Sequence, residues 1–360
     1  MLRCIKLAAL KLLHAFGVNA LVMSSPWRST RLAILCYHSI SLADEHEWRP
    51  ALCISRQHFL SRMELIRQRR CAVLPLSEAL VRLANGSLPK RAVSITFDDG
   101  FHDFYRVAWP ILREFSFPAT VYLTTYYSEN SRWPVFNLML PYVLWKSRAK
   151  PLTMPNVIPE PVILDEGGCE RAFGAIETYC LDRGISGSER HELLKMVCRS
   201  VGFDLEGAIR ERILCLMSPE EVAEVVATGA DIQLHTHRHL VFATKDRFSR
   251  DLEENRKRIL RMTGITASHF CYPGNFRVPG LTEWLRDGGV ESATTCDAGL
   301  ASRKSDPYLL PRVLDISTVQ EVEFDSWICG MSGMLPKRTY PPSLSPSQRE
   351  EHADVLGKPA

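Results

Sequence analysis

No run of 18 or more apolar residues occurs in the chain, so a membrane-spanning helix is not expected. Net charge is only +3, and neither an arginine-rich patch nor a nucleic-acid motif accompanies it, so nucleic acid is not expected as a partner. Cysteine occurs eleven times, an odd count, without repeated spacing and never as CxxC. That pattern argues against a disulfide framework, and Cys36 and Cys271 in apolar strand-like runs read as buried thiols of a reducing compartment. The N-terminus also lacks the uninterrupted apolar core, about 7–15 residues long, of a cleaved export signal, because Lys6, Lys11 and His14 break it up. The cytoplasm is the expected location.

What is present is an ordinary globular composition, 46% hydrophobic and 24% charged, sufficient for a sizeable core. Residues 1–28 read as an amphipathic helix. Leu2, Ile5, Ala9, Leu12, Leu13 and Phe16 share one face, with Arg3, Lys6, Lys11 and His14 opposite. That face either makes a peripheral contact through residues 1–20 with an anionic membrane surface, on its inner side, or packs on the protein itself.

From 29 to 334, short apolar or β-branched runs alternate with amphipathic helical patterns, which predicts an α/β domain of parallel strands with covering helices. Strands are expected at 32–36, 72–74, 94–97, 119–123, 231–234, 268–272, 292–295 and 308–316. Residues 135–217 loosen into a largely helical insertion, with a proline-rich segment from Pro151 to Pro161. From 335 to 360 Pro, Ser, Arg and Glu dominate without periodicity, which predicts a disordered tail.

Ionisable residues recur where strands stop. Ser94-Ile95-Thr96-Phe97 runs straight into Asp98, Asp99 and Gly100; His38 follows the first strand; His235, His237 and His239 follow another. Two adjacent carboxylates at a buried strand end need a cation, a proton or solvent. In parallel barrels the carboxyl ends of strands share one face, so these residues converge there. Two neutral imidazoles four residues apart and one carboxylate suit zinc, with iron, cobalt or manganese as alternatives. Three protein ligands leave open positions, so one carboxylate can bind the metal while the other faces water, which is hydrolysis chemistry.

Thr96-Phe97-Asp98-Asp99-Gly100 followed by His235-Thr236-His237-Arg238-His239 resembles the paired signatures of the NodB-type polysaccharide deacetylases, carbohydrate esterase family four. Further agreement lies in Leu35-Cys36-Tyr37-His38-Ser39-Ile40, Leu88-Pro89, Phe117-Pro118-Ala119-Thr120, Phe270-Cys271-Tyr272-Pro273-Gly274 and Leu310-Pro311-Arg312. The order is that of the bacterial exopolysaccharide branch. The resemblance implies a distorted (β/α) barrel with fewer than eight regular strands, and removal of N-acetyl groups from an N-acetylhexosamine-containing polysaccharide or its lipid-linked precursor. It implies Asp98 as general base, Asp99, His235 and His239 as metal ligands, and a backbone N–H near Gly274 for the oxyanion.

No histidine lies between His269 and His352, so the late histidine that serves many relatives as acid is missing, and the Tyr-His element of the branch assigns that role to His38. Cys271 stands where the family has an arginine, and Gly274 where an aromatic would follow proline. Arg312 either takes over the task of keeping Asp98 ionised or forms an ordinary ion pair. Asp325-Ser326-Trp327 reads as packing of the last helix, and His102 and His237 as solvated or structural. Competing readings are an amidase acting on a small non-glycan amide, and a catalytically degenerate glycan-binding protein.

Overall fold

The computed structural model describes residues 2–331, so the tail expected from 335 lies outside the described residues. Seven parallel strands close into a barrel: β1 (Arg31–Tyr37), β2 (Ala92–Phe97), β3 (Thr120–Leu123), β4 (Asp231–Leu234), β5 (His269–Cys271), β6 (Ser292–Ala298) and β7 (Leu310–Leu314). Order around the barrel equals order in the chain, and β7 returns to β1 through Leu35↔Val313. The first three strands are short and mostly apolar because both of their faces are covered, by helices outside and by side chains within.

The two-residue period of a strand sorts those faces. On β1, Ala33, Leu35 and Tyr37 join the large outer core with Val93, Ile95 and Phe97 of β2. Leu32, Ile34 and Tyr122 fill the barrel together with Cys271 and Leu310. Continuing the inward register along β2 passes through Thr96 to Asp98, and along β7 from Leu310 to Arg312.

Two expectations change. In place of one helix over 1–28, residues 2–29 form three helices: α1 (Leu2–Ala15), α2 (Val18–Met23) and Pro26–Ser29, because Gly17 at φ 71° breaks the first and Pro26 starts the last. The proline-rich segment is an antiparallel hairpin of Pro151–Met154 with Ile158–Ile163. A two-stranded ribbon is all edge, so Pro159 and Pro161 sit exposed without breaking an interior ladder. The hairpin shares a separate apolar core, including Leu140, Leu152, Ile176 and Val197, with α4 (Phe136–Lys146), α5 (Glu166–Asp182) and α6 (Gly187–Val201).

Asp325 on the last helix (Glu321–Cys329) is a node of the scaffold. It accepts from Arg69 (2.5 and 2.8 Å) and Asn19 (2.6 Å) and faces His14 Nδ1 at 3.0 Å. The Asp-Ser-Trp stretch is therefore structural. This node and the buried Leu10 set the side of α1 that meets the protein.

Candidate active site

Asp98 and Arg312 form the floor of the barrel mouth. Arg312 donates from Nη1 to Asp98 Oδ1 (2.7 Å) and from Nη2 to Oδ2 (2.6 Å), a two-pronged pair with Arg312 wholly buried. The other guanidinium donors reach Thr295 O (2.9 Å), Thr96 Oγ1 (3.1 Å) and Cys271 Sγ (3.1 Å). Burial alone raises the Asp98 carboxyl, but the guanidinium overrides it and holds the group below the usual carboxylate range. Cys271 lies 3.4 Å and Cys36 3.6 Å from Asp98 Oδ2. A thiol thus lies beside Asp98 where the resemblance leads one to expect an arginine, and the cation arrives from β7.

The next residue points elsewhere because Asp99 takes φ 69°, which turns the chain out of the strand. Its Oδ1 lies 3.2 Å from His235 Nε2 and 3.0 Å from His239 Nε2. His235 donates its Nδ1–H to the Cys271 carbonyl (2.9 Å), which leaves the lone pair on Nε2 directed at Asp99. Asp99 Oδ1 is buried and has no hydrogen-bond partner. Three donor atoms that all lie within 4.8 Å of one another, one of them a buried carboxylate oxygen without a proton to share, fit a divalent cation. Thr236 (φ 63°) and His239 (φ 58°) also hold left-handed backbone, a strain concentrated on this loop.

His38 completes the group: its Nε2 is 3.7 Å from Asp98 Oδ2, and the side chain is partly exposed at the mouth. Its loop is held by Asp103, which accepts from Ser39 Oγ (2.6 Å) and Ile40 N (2.9 Å); burial pushes that carboxyl up to about 8. Gly274 (φ 57°) lies exposed in the turn after β5, at the same barrel end, and is not hydrogen-bonded to these side chains. His237 is buried against Thr125 Oγ1 (2.9 Å), and His102 against Glu221 (3.1 Å), so both are structural and not solvated.

Two residues that hold the histidine loop are not singled out by the sequence reading. On α7 (Lys245–Thr263), Asp251 accepts from His237 N (2.7 Å) and Arg238 Nη1 (2.9 Å). One turn on, Asn255 accepts from His235 N (3.0 Å) and donates to Leu123 O and Thr125 Oγ1, both at 3.0 Å. Their signal is an i, i+4 polar pair on the otherwise apolar face of Phe248, Leu252 and Ile259. Replacing Asn255 by Ala removes the acceptor that holds the His235 main-chain N–H and so loosens the loop that carries the imidazole. Metal affinity, read by titration of metal-free protein, should fall about 10–100-fold with the circular dichroism spectrum unchanged.

A closed parallel barrel carrying carboxylates and imidazoles at the carboxyl ends of its strands defines a (β/α)-barrel protein with a hydrolase-type centre. More specifically, the chain belongs to the polysaccharide deacetylase family, whose sequence model matches residues 85–155 and 177–290, just over half of it. Poly-beta-1,6-N-acetyl-D-glucosamine N-deacetylase of Staphylococcus aureus (strain MSSA476) is 35% identical over 72 residues, 20% of this chain and 25% of that protein. The chain spans about a quarter to about a third of the length of the first curated relatives it matches. Among solved structures, the Streptococcus pyogenes deacetylase PplD in complex with acetate shares the fold at TM-score 0.56 and 16% identity, over 83% of this chain and 98% of that one. IcaB from Ammonifex degensii does so at TM-score 0.51 and 19% identity, over 83% and 97%.

Proposed function

We propose that the protein is a metal-dependent hydrolase that removes N-acetyl groups from an N-acetylhexosamine-containing polysaccharide or its lipid-linked precursor during exopolysaccharide biosynthesis. The observation that carries this reading is the division of two neighbouring carboxylates, Asp99 facing two imidazoles and Asp98 locked by Arg312. Asp99, His235 and His239 would hold zinc or another divalent transition metal, which would supply Lewis acidity to the amide carbonyl and the attacking water. Asp98 accepts the proton of that water as oxygen bonds to the carbonyl carbon. The Gly274 turn supplies an amide N–H for the developing oxyanion. His38 donates a proton to the departing nitrogen as the C–N bond breaks, giving acetate and a free amine.

The role of His38 has its own signature. His38→Gln should lower kcat about 100-fold or more on N-acetylglucosamine oligomers, but far less on an aryl acetate ester, whose phenolate leaves without a proton. Equal losses on both substrates would remove His38 from the acid role. The substrate class is tested with the metal-loaded protein on N-acetylated oligosaccharides beside small acetamides and ureides. Preferential acetate release from the oligosaccharides is expected, and preferential hydrolysis of the small amides would point to the amidase instead.

We also propose a peripheral contact with the inner, anionic face of the membrane. Ile5 (60% exposed), Leu12 (60%) and Phe16 (79%) form a bare stripe on α1, and Leu21 of α2 (72%) continues the apolar surface. Lys11, on the polar side of the same helix, is also exposed, and a positive charge suits an anionic surface. Each such side chain contributes about 1.5–3 kcal/mol when buried. Leu12→Glu with Phe16→Glu should therefore cut binding to phosphatidylserine-containing vesicles at least tenfold in a co-sedimentation assay. Unchanged sedimentation would remove the contact.

A further inference from the structure

A groove of about 790 Å³ opens between the loop after β1, the start of α3 (Arg56–Gln68) and the end of the helical insertion. Three arginines from separate elements line it: Arg56 on α3, Arg106 after β2 and Arg210 of the insertion. All three are exposed and, among the described residues, form no ion pair, whereas Lys146, Lys245 and Arg277 elsewhere on the surface each hold a carboxylate. Arg212 also reaches the groove but is already paired with Glu221, and Glu211 is the one acidic side chain on the lining, against three unpaired positive charges.

A second feature points to an occupant. Ser41 lines the groove and is only 8% exposed, and its hydroxyl has no hydrogen-bond partner. A buried hydroxyl left unpaired costs about 1–3 kcal/mol, which an acceptor in the groove would recover once the loop at Ser41 shifts, because the oxygen itself is closed to solvent. The N-terminus of the 13-residue α3 opens on the same space, and its dipole favours negative charge.

Ser41 is three residues beyond His38, and His102, also on the groove wall, is three beyond Asp99, so each lies within about 11 Å, Cα to Cα, of a reacting-site residue. The stripe on α1 lies elsewhere. It sits by the Asp325 node, which holds Arg69 at the far end of α3, about 20 Å along that helix. A lipid headgroup bound at the stripe is thus distant from the groove.

We infer that this groove is an anion-binding subsite that takes a carboxylate or phosphate carried by the glycan itself, beside the sugar being deacetylated. The inference rests on the glycan deacetylase reading and names its substrate class more closely. Arginine suits the role because its planar fork binds either oxyanion through two hydrogen bonds.

The test uses the full chain and its Arg56→Gln/Arg106→Gln/Arg210→Gln variant, with matched thermal melts as the control for folding. Calorimetric titration with a glucuronate-containing N-acetylated oligosaccharide, with a phosphate-bearing one and with inorganic pyrophosphate should give saturable binding to the wild type, weakened at least tenfold in the variant. The better of the two oligosaccharides identifies the anion. The ratio of kcat/KM for the charged over the neutral oligosaccharide should also fall about tenfold. Equal binding by both proteins, or no saturable binding by either, would overturn the subsite. Absence of acetate release from any glycan, with anion binding intact, would instead count against the deacetylase reading.

Discussion

Asp98→Asn is expected to lower acetate release by a factor of about 100–10,000 while leaving the metal content of the protein unchanged. The amide cannot accept a proton from water, and general-base catalysis is worth about that much. Retained metal follows from geometry: Asp98 faces Arg312, whereas Asp99 faces the imidazoles of His235 and His239. Acetate assay and metal analysis on the same sample check both halves. Loss of the metal along with activity would mean that the two carboxylates share one task.

Arg312→Met should be the most destabilising single change in the barrel mouth. The guanidinium is wholly buried and satisfies both oxygens of Asp98, so its removal leaves a buried carboxylate without its cation. Breaking a buried pair from one side costs about 3–5 kcal/mol, enough to lower Tm on the order of 10 °C. Arg312→Lys should recover only part of this, because one ammonium cannot reach both oxygens, Thr96 and the Thr295 carbonyl together. The Asp98→Asn/Arg312→Met double variant should be more stable than Arg312→Met alone, since the stranded charge is gone. A double variant that is additive in its losses would show that the pair is not coupled.

The site was legible in the sequence to the extent that its residues end strands. His38, Asp98, Asp99 and His235 follow apolar runs by one or two positions and His239 follows Leu234 by five, and parallel strands that close into a barrel bring such ends together. Arg312 was legible as one candidate partner of Asp98, with an ordinary ion pair as the equal alternative. Its inward direction depends on the register of β7 against β1, which the sequence of neither strand states. Asp251 and Asn255 stayed hidden because polar residues on a helix ordinarily face water, and only packing of α7 on β4 turns them toward the histidine loop.

The N-terminal segment and the insertion show the other limit. Amphipathic periodicity in α1 was visible, yet the side that meets the protein carries His14 along with Leu10, because the Asp325 carboxylate awaits it from a residue 311 positions away. The hairpin at 151–163 was masked by prolines that forbid an interior strand but not a two-stranded ribbon. The groove joins Arg56, Arg106 and Arg210 across more than 150 residues of chain, and no local pattern marks it.

The most direct measurement is the ratio of acetate released to free amine formed when metal-reconstituted wild-type protein acts on an N-acetylglucosamine oligomer, beside the same protein stripped of metal. One acetate for each new amine, lost on stripping and restored by zinc or another divalent transition metal, is expected. Acetate and amine formed equally well by the stripped protein, or neither formed on any N-acetylated glycan after reconstitution, would contradict a metal-dependent deacetylase built on Asp98, Asp99, His235 and His239.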